Sequence, residues 1–184
     1  EEFELEEDLV YGLLKSSDLK EDIIDTSRKY TIVTQKRIGQ ETAPVLAGLP
    51  KTKAYLERHK DYFLQRKSSI YNGKPMYSIF GVGDYSFKPY KVAISGLYKQ
   101  TKFTLVKPNG TVLLLDDTCY FIGFDTLEEA QAIQIELNKP DMQEFIQSFM
   151  FTDAKRAITK DLLMRVGLRS NLTQRHRENS LFEY

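Results

Sequence analysis

The chain has 184 residues, 41% hydrophobic and 28% charged, with a formal net charge of zero; this is enough apolar material to bury a core, and it excludes a disordered chain. No apolar run approaches the roughly 18 residues of a membrane-spanning helix, no signal-peptide pattern is present, and the lone Cys119 excludes an intramolecular disulfide. A cytoplasmic protein is expected, and the start at Glu1 rather than at methionine suggests a piece of something longer.

Residues 3–15 carry apolar side chains at 5, 9, 10, 13 and 14, a spacing that predicts a helix. Ser16-Ser17-Asp18 ends it, and Lys29 to Thr34 reads as a short strand. Thr42 to Pro50, broken by Gly and Pro, is a loop or a short helix. Thr52 to Lys67 predicts the clearest helix, with Tyr55, Leu56, His59, Tyr62 and Phe63 on one face. Asn72-Gly73 marks a tight turn. Tyr77 to Phe80 and Lys91 to Ser95 read as strands. Phe103 to Val106 and Val112 to Leu115 flank Pro108-Asn109-Gly110 and predict a hairpin. Cys119 to Phe124 is another strand. Thr126 with Glu129 forms a capping-box pattern for a helix to about Asn138 that buries Ala130, Ile133 and Leu137. A helix over Met142 to Phe151 follows, then one from Lys160 to Val166, capped by Thr159 and ended by Gly167. Arg169 to Tyr184 is polar and is expected to be a loose tail.

The neutral total hides an uneven distribution. Residues 1–50, 51–102 and 103–184 carry formal charges of −5, +8 and −3, and the middle block holds eleven Lys/Arg against three acids. A basic block between acidic flanks suits a polyanion, although a lysine-rich solvated helix gives the same count. Within that block, Phe80-Gly-Val-Gly-Asp-Tyr-Ser-Phe-Lys-Pro-Tyr-Lys91 is too polar for a core strand and too aromatic for an ordinary loop. Lysines interleaved with aromatic rings can hold a charged backbone and stack on bases. The alternative is that some of Tyr85, Phe87 and Tyr90 are core residues of a bent strand.

Catalytic patterns are weak. His59, His176 and Cys119 do not cluster as metal ligands do, and Cys119 reads as a small buried hydrophobe. Asp116-Asp117 could hold Mg²⁺ in a nuclease, yet a turn or cap role fits better. Gly81-Val-Gly83 lacks the third glycine and the following helix of a dinucleotide loop.

Tyr55 to Lys60, Arg66 to Ser69, Tyr77 to Lys99, Leu115 to Phe121 and Lys155 to Asp161 together resemble the C-terminal portion of adenine-specific DNA methyltransferases of bacterial restriction–modification systems, in particular their target-recognition region. Leu13 to Leu19 resembles the segment that joins the catalytic domain to that region, and the resemblance spans roughly residues 9–168. Such enzymes bind S-adenosylmethionine through a Gly-containing loop and hold the flipped adenine with an Asn/Asp-Pro-Pro-Tyr/Phe motif. Neither is present in this chain. The resemblance therefore implies a non-catalytic recognition module, with no cofactor of its own, whose parent enzyme uses S-adenosylmethionine.

The expected architecture is α+β, with a central mixed or antiparallel sheet, packed helices, an N-terminal helix and a C-terminal helical segment. Residues 1–28 are expected to lead in from a preceding methyltransferase domain, 29–168 to form the recognition domain and 169–184 the tail. The expected partner is double-stranded DNA. Arg66, Lys67, Ser68 and Ser69 would hold phosphates. Asp84, Tyr85, Ser86, Lys88, Tyr90 and Lys91 would contact bases or backbone, with Lys155 and Arg156 as a second anchor. Two other readings stand beside this one: a Mg²⁺-dependent nuclease subunit using Asp116 and Asp117, and a protein-interaction module that docks a restriction–modification partner through the aromatic run.

Overall fold

The structure, a computed structural model, describes residues 3–150 and 156–166. Its strands are β1 (Val10–Leu14), β2 (Ile23–Ile24), β3 (Lys29–Ile32), β4 (Tyr90–Ser95), β5 (Thr104–Val106), β6 (Leu113–Leu115) and β7 (Cys119–Phe124). Its helices are α1 (Thr42–Ala47), α2 (Pro50–Arg58), α3 (Lys60–Leu64), α4 (Leu127–Leu137), α5 (Pro140–Ser148) and α6 (Lys160–Leu163). The fold is α+β. The chain divides into two units, one comprising residues up to Tyr11 with Tyr30–Asp84, the other Gly12–Lys29 with the residues from Tyr85 onward. Among the described residues no helix is long and apolar enough to cross a membrane.

The second unit is built on a four-stranded mixed sheet in the order β2-β5-β4-β7, with β2 parallel to β5 and β4 antiparallel to both of its neighbours. Strand alternation sorts its residues onto two buried faces. Val92 and Ile94 of β4 join Ile122 and Phe124 of β7 under α4, where Ala130, Ile133 and Leu137 pack with Ile146 and Leu163. Ala93 and Phe121 turn the other way, onto Leu14, Leu19, Val106 and Leu113. α4 and α6 start where side chains answer their free N–H groups: the Thr126 hydroxyl accepts from Glu129 N–H at 3.3 Å and that of Thr159 from Leu162 N–H at 3.3 Å. Gly167 and residues 169–184 lie outside the described residues.

Three expected elements do not form. Residues 10–14 form a strand instead of part of an N-terminal helix, with Gly12 to Leu14 paired in parallel to Leu113 to Leu115. The apolar spacing fits either form, but β-prone Val10 and Tyr11 and a central glycine weaken the helix. Gly12 also packs closely, since a Cβ there would lie 2.4 Å from Ser27 Oγ and 2.6 Å from Leu113 Cδ2 and would force those side chains to shift. The predicted hairpin is also absent. Both edges of β5 are already taken by β2 and β4, so β6 has no edge to pair with and joins β1 instead. Finally, Tyr77 to Phe80 is not a strand.

The first unit gathers Leu9, Leu46 and Leu56 into a small core with Ile32, Val45, Tyr55, Phe63 and Tyr77. The helix expected over 52–67 begins earlier, with Pro50 in its first turn, a position that lacks an N–H requirement. It also breaks at His59, whose φ of −101° and ψ of 15° leave the helical range. Glu6 supplies the cap that the sequence next to α2 lacks: its carboxylate accepts the N–H groups of Lys51 at 2.8 Å and Thr52 at 2.7 Å and the Thr52 hydroxyl at 2.6 Å. The turn at Asn72-Gly73 forms as expected, with Lys74 N–H on the Tyr71 carbonyl at 3.1 Å and Gly73 at φ +68°.

Candidate functional site

The aromatic–glycine run bends at Gly81, where φ is +75°, and passes through a 3₁₀ turn at Asp84–Phe87 before entering β4. The division between the units falls between Asp84 and Tyr85, so the expected contact residues are shared between the two.

In the first unit Arg66 acts as an internal clamp. Its Nη1 donates to the Ser78 carbonyl at 2.7 Å, its Nη2 to that of Met76, and its Nε to that of Phe63 at 3.2 Å. The guanidinium also lies over the rings of Phe63 and Tyr71, at 4.9 and 4.0 Å. Thr34 takes the Tyr77 carbonyl at 2.8 Å, and the Gln35 amide pairs with both the N–H and the carbonyl of Ile79 at 2.9 and 2.8 Å. These side chains satisfy residues 76–79 as a neighbouring strand would, which is why that segment needs no ladder. The expectation that Arg66 grips a phosphate is corrected accordingly, since its fork is occupied by carbonyls. Lys67, Ser68 and Ser69 are exposed. Asp84 is exposed and pairs with Arg37 at 3.7 Å.

In the second unit the lysines and tyrosines of the run are drawn inward. Lys91 is fully buried. Strand alternation puts it on the face of Ala93, and its Nζ donates to the carbonyls of Lys88 at 2.6 Å and Leu113 at 2.9 Å. Burial brings its pKa down from the usual lysine value to about 7. Lys91 therefore leaves the list of outward contacts. Lys88 is half-buried, with its ammonium on Asp125 at 2.6 and 2.8 Å. Its stem crosses Gly123, where a Cβ would come within 2.7 Å of Lys88 Cγ. The Tyr85 ring packs 6.0 Å from that of Phe121, Tyr90 packs against the larger core, and Ser86 is buried. Arg156 holds Asp117, donating to its carbonyl at 2.9 Å and approaching Oδ2 at 3.5 Å. Lys155 lies outside the described residues. Sequence reasoning missed the partners Arg37, Asp125 and Asp117, which are distant in the chain and carry no local signal.

Asp116 and Asp117 serve the turn before β7. The Asp116 carboxylate accepts Thr118 N–H at 3.0 Å and the Thr118 hydroxyl, and Lys15 stands 3.9 Å away. Cys119 is buried. Burial, with Asp116 beside it, pushes its thiol up to about 12, the opposite of a reactive nucleophile. Among the described residues no three His, Cys, Asp or Glu side chains gather as metal ligands would. His59 is enclosed by the rings of Tyr55, Phe3 and Tyr62 at 4.7, 6.0 and 6.1 Å, and its buried Nε2 has no hydrogen-bond partner among the described residues.

No protein-family model matches the chain. Comparison with known proteins relates it to a methyltransferase. The relative is the Type II methyltransferase M.NspV of Nostoc sp. (strain ATCC 29411 / PCC 7524), 40% identical over 166 residues that take in 90% of this chain and 35% of that protein. The chain thus spans about a third of the length of the curated relative it matches.

Proposed function

We propose that this chain is the DNA target-recognition part of an adenine-specific DNA methyltransferase of a bacterial restriction–modification system, working in the cytoplasm. The observation that carries the reading is the extent of the match: nearly the whole chain aligns at 40% identity, yet to only 35% of a methyltransferase. A piece of that size with no catalytic motif of its own fits the part that grips DNA while another domain acts on a flipped base. Residues 1–28 would lead in from that methyltransferase domain.

S-adenosylmethionine would belong to the rest of the parent enzyme. The one Gly-x-Gly in the chain does not fit it: Gly81-Val82-Gly83 runs into a four-residue 3₁₀ turn and then a strand, with no helix N-terminus to receive an anionic or nucleotide group.

Selection from a random duplex library tests the reading. The chain is expected to enrich one sequence motif and to bind with a log–log salt slope of roughly −4 to −5, as for about five neutralised phosphates. Binding without enrichment would remove the recognition role, and absence of duplex binding at low salt would remove the reading altogether. A plasmid-nicking assay with Mg²⁺ is expected to show no cleavage, because Asp116 and Asp117 are held by Thr118 and Arg156.

A further inference from the structure

We propose that a groove at one end of the four-stranded sheet, lined by Lys20, Tyr98, Lys99 and Lys102, is where the second unit takes the phosphodiester backbone of duplex DNA. The inference rests on the DNA-binding reading and gives it a location that the aromatic–glycine run does not supply.

Topology assembles the groove. β4 ends at Ser95, and antiparallel β5 starts at Thr104 at the same end of the sheet. β2, parallel to β5, starts there too. The segments before β2, after β4 and before β5 therefore meet, and they carry Lys20, Tyr98 with Lys99, and Lys102. They enclose a hollow of about 450 Å³ whose walls also include Ser16 and Ser95.

Charge in this hollow is only partly compensated among the described residues. Lys15, Lys88, Lys107 and Arg156 of the same unit each face an acid. Lys102 is likewise neutralised, by Asp22 at 2.8 Å. Lys20 and Lys99 have no ion pair among the described residues. Two ammonium groups that line one concavity and have no ion pair among the described residues focus a positive potential there and attract an anion. Tyr98, 49% exposed beside them, adds a flat ring and a hydroxyl, both usual contacts to sugar and phosphate.

Hydrogen bonds hold the backbone at Lys20 and in the turn that leads to Lys99. Lys20 N–H donates to the Asp18 carbonyl at 2.9 Å, and the Lys20 carbonyl accepts from Lys102 Nζ at 3.1 Å. The Ser95 hydroxyl accepts the N–H groups of Leu97 and Tyr98 at 3.1 and 3.0 Å, which shapes the turn. Gly96 seats that turn on the sheet: its N–H meets the Thr118 carbonyl at 2.8 Å, and a Cβ would lie 2.9 Å from the Tyr120 ring. Lys102 thus neutralises an acid and positions Lys20, while Lys20 and Lys99 are left to meet a ligand. A backbone held in this way and bearing these cations is the arrangement that binds a repeating anion with little ordering cost.

The test is a fluorescence-anisotropy titration with a random-sequence DNA duplex, using the whole chain, the double variant Lys20→Gln/Lys99→Gln, the charge-keeping double variant Lys20→Arg/Lys99→Arg, and Lys67→Gln in the other unit. The Gln double variant is expected to bind at least about tenfold more weakly at low salt and to lose roughly 2 from the magnitude of the salt slope, one phosphate per lysine. The Arg variant should keep both. An unchanged affinity and slope in the Gln variant, with the original chain binding normally, overturns the groove and leaves the DNA-binding reading standing. Equal weakening in the Gln and Arg variants, which share exposed positions but not charge, also overturns it. Failure of the unaltered chain to bind any duplex overturns both.

Discussion

The Lys91 ammonium donates to the carbonyl of Lys88 at 2.6 Å, so two lysines that the sequence offers to an external anion are tied to each other inside the fold. The Lys88 ammonium is in turn held by Asp125. The run that enters β4 is thereby a fastening between the sheet, β6 and the turn after β7. Its cations keep that turn closed, and the open cations of the unit lie elsewhere.

Lys91 makes stability rise with pH. Its pKa is lowered from 10.5 to about 7 on folding, so between those values the unfolded chain holds the extra proton, and stability grows as pH increases across the window. Cys119 acts oppositely: its folded pKa of about 12 lies above the ordinary 9, so the folded chain keeps a proton that the unfolded chain loses, and stability falls as pH rises from 9 to 12. The range from pH 7 to 9 isolates Lys91. Denaturant unfolding is expected to show a gain on the order of 2 kcal/mol over those two pH units, and Lys91→Met to abolish that slope. Parallel pH profiles for the two proteins would show that Lys91 is not the group responsible.

Arg66→Lys is expected to destabilise the first unit by about 1–3 kcal/mol, because an ammonium cannot serve three carbonyls in a planar fork and leaves partly buried acceptors unpaired. Backbone amides near Ser78 and Ile79 should exchange faster in the variant. A phosphate-gripping Arg66 gives the reverse pattern, with stability unchanged and DNA affinity reduced. Measuring both quantities on one preparation separates the two roles.

What the sequence reveals and what it conceals follow from the range of the interactions. β4, β7 and the cap of α4 are legible because short apolar runs and Thr126 with Glu129 are local patterns, and the structure has all three. β1 is not, because its partner β6 lies about a hundred residues away, and the spacing of Leu9, Val10, Leu13 and Leu14 satisfies a helix equally well. The burial of Lys91 has one faint local sign: it shares the face of Ala93 on a strand that is apolar on both sides. A lysine there must be either buried or at the strand end, and composition alone favours the surface. The basic block at 51–102 is real as a count but mixed as a surface, since among the described residues Lys51, Lys53, Lys88 and Lys102 pair with acids and Lys67 and Lys99 do not.

Gly123→Ala should loosen the same fastening from the other side. The added Cβ would sit 2.7 Å from Lys88 Cγ and 2.8 Å from its Cβ, so the lysine stem must move and its hold on Asp125 is disturbed. A loss of about 1–3 kcal/mol is expected, as for other overpacked sites. Asp125→Asn alone should cost less, about 1 kcal/mol or under, because that ion pair is half-exposed. A Gly123→Ala loss no larger than that of Asp125→Asn would mean the crowding is relieved without cost and the close approach is incidental.

Glu6 makes the first unit acid-sensitive in a window set by one carboxylate. Burial alone would raise its pKa; the Thr52 hydroxyl and the N–H groups of Lys51 and Thr52 outweigh that and hold it at about 2. The ordinary value is 4.5, so the stabilisation it confers is fully present above that pH and is lost as pH falls toward 2. Glu6→Gln keeps an acceptor oxygen but removes the charge that complements the N-terminus of α2. The variant is expected to unfold at a lower denaturant concentration at pH 7, with α2 fraying first, and to approach the original protein as pH falls through 2, where the Glu6 carboxyl becomes neutral. Far-ultraviolet circular dichroism across an acid titration reads both effects. A difference that persists undiminished at pH 2 would assign the cap to shape and not to charge.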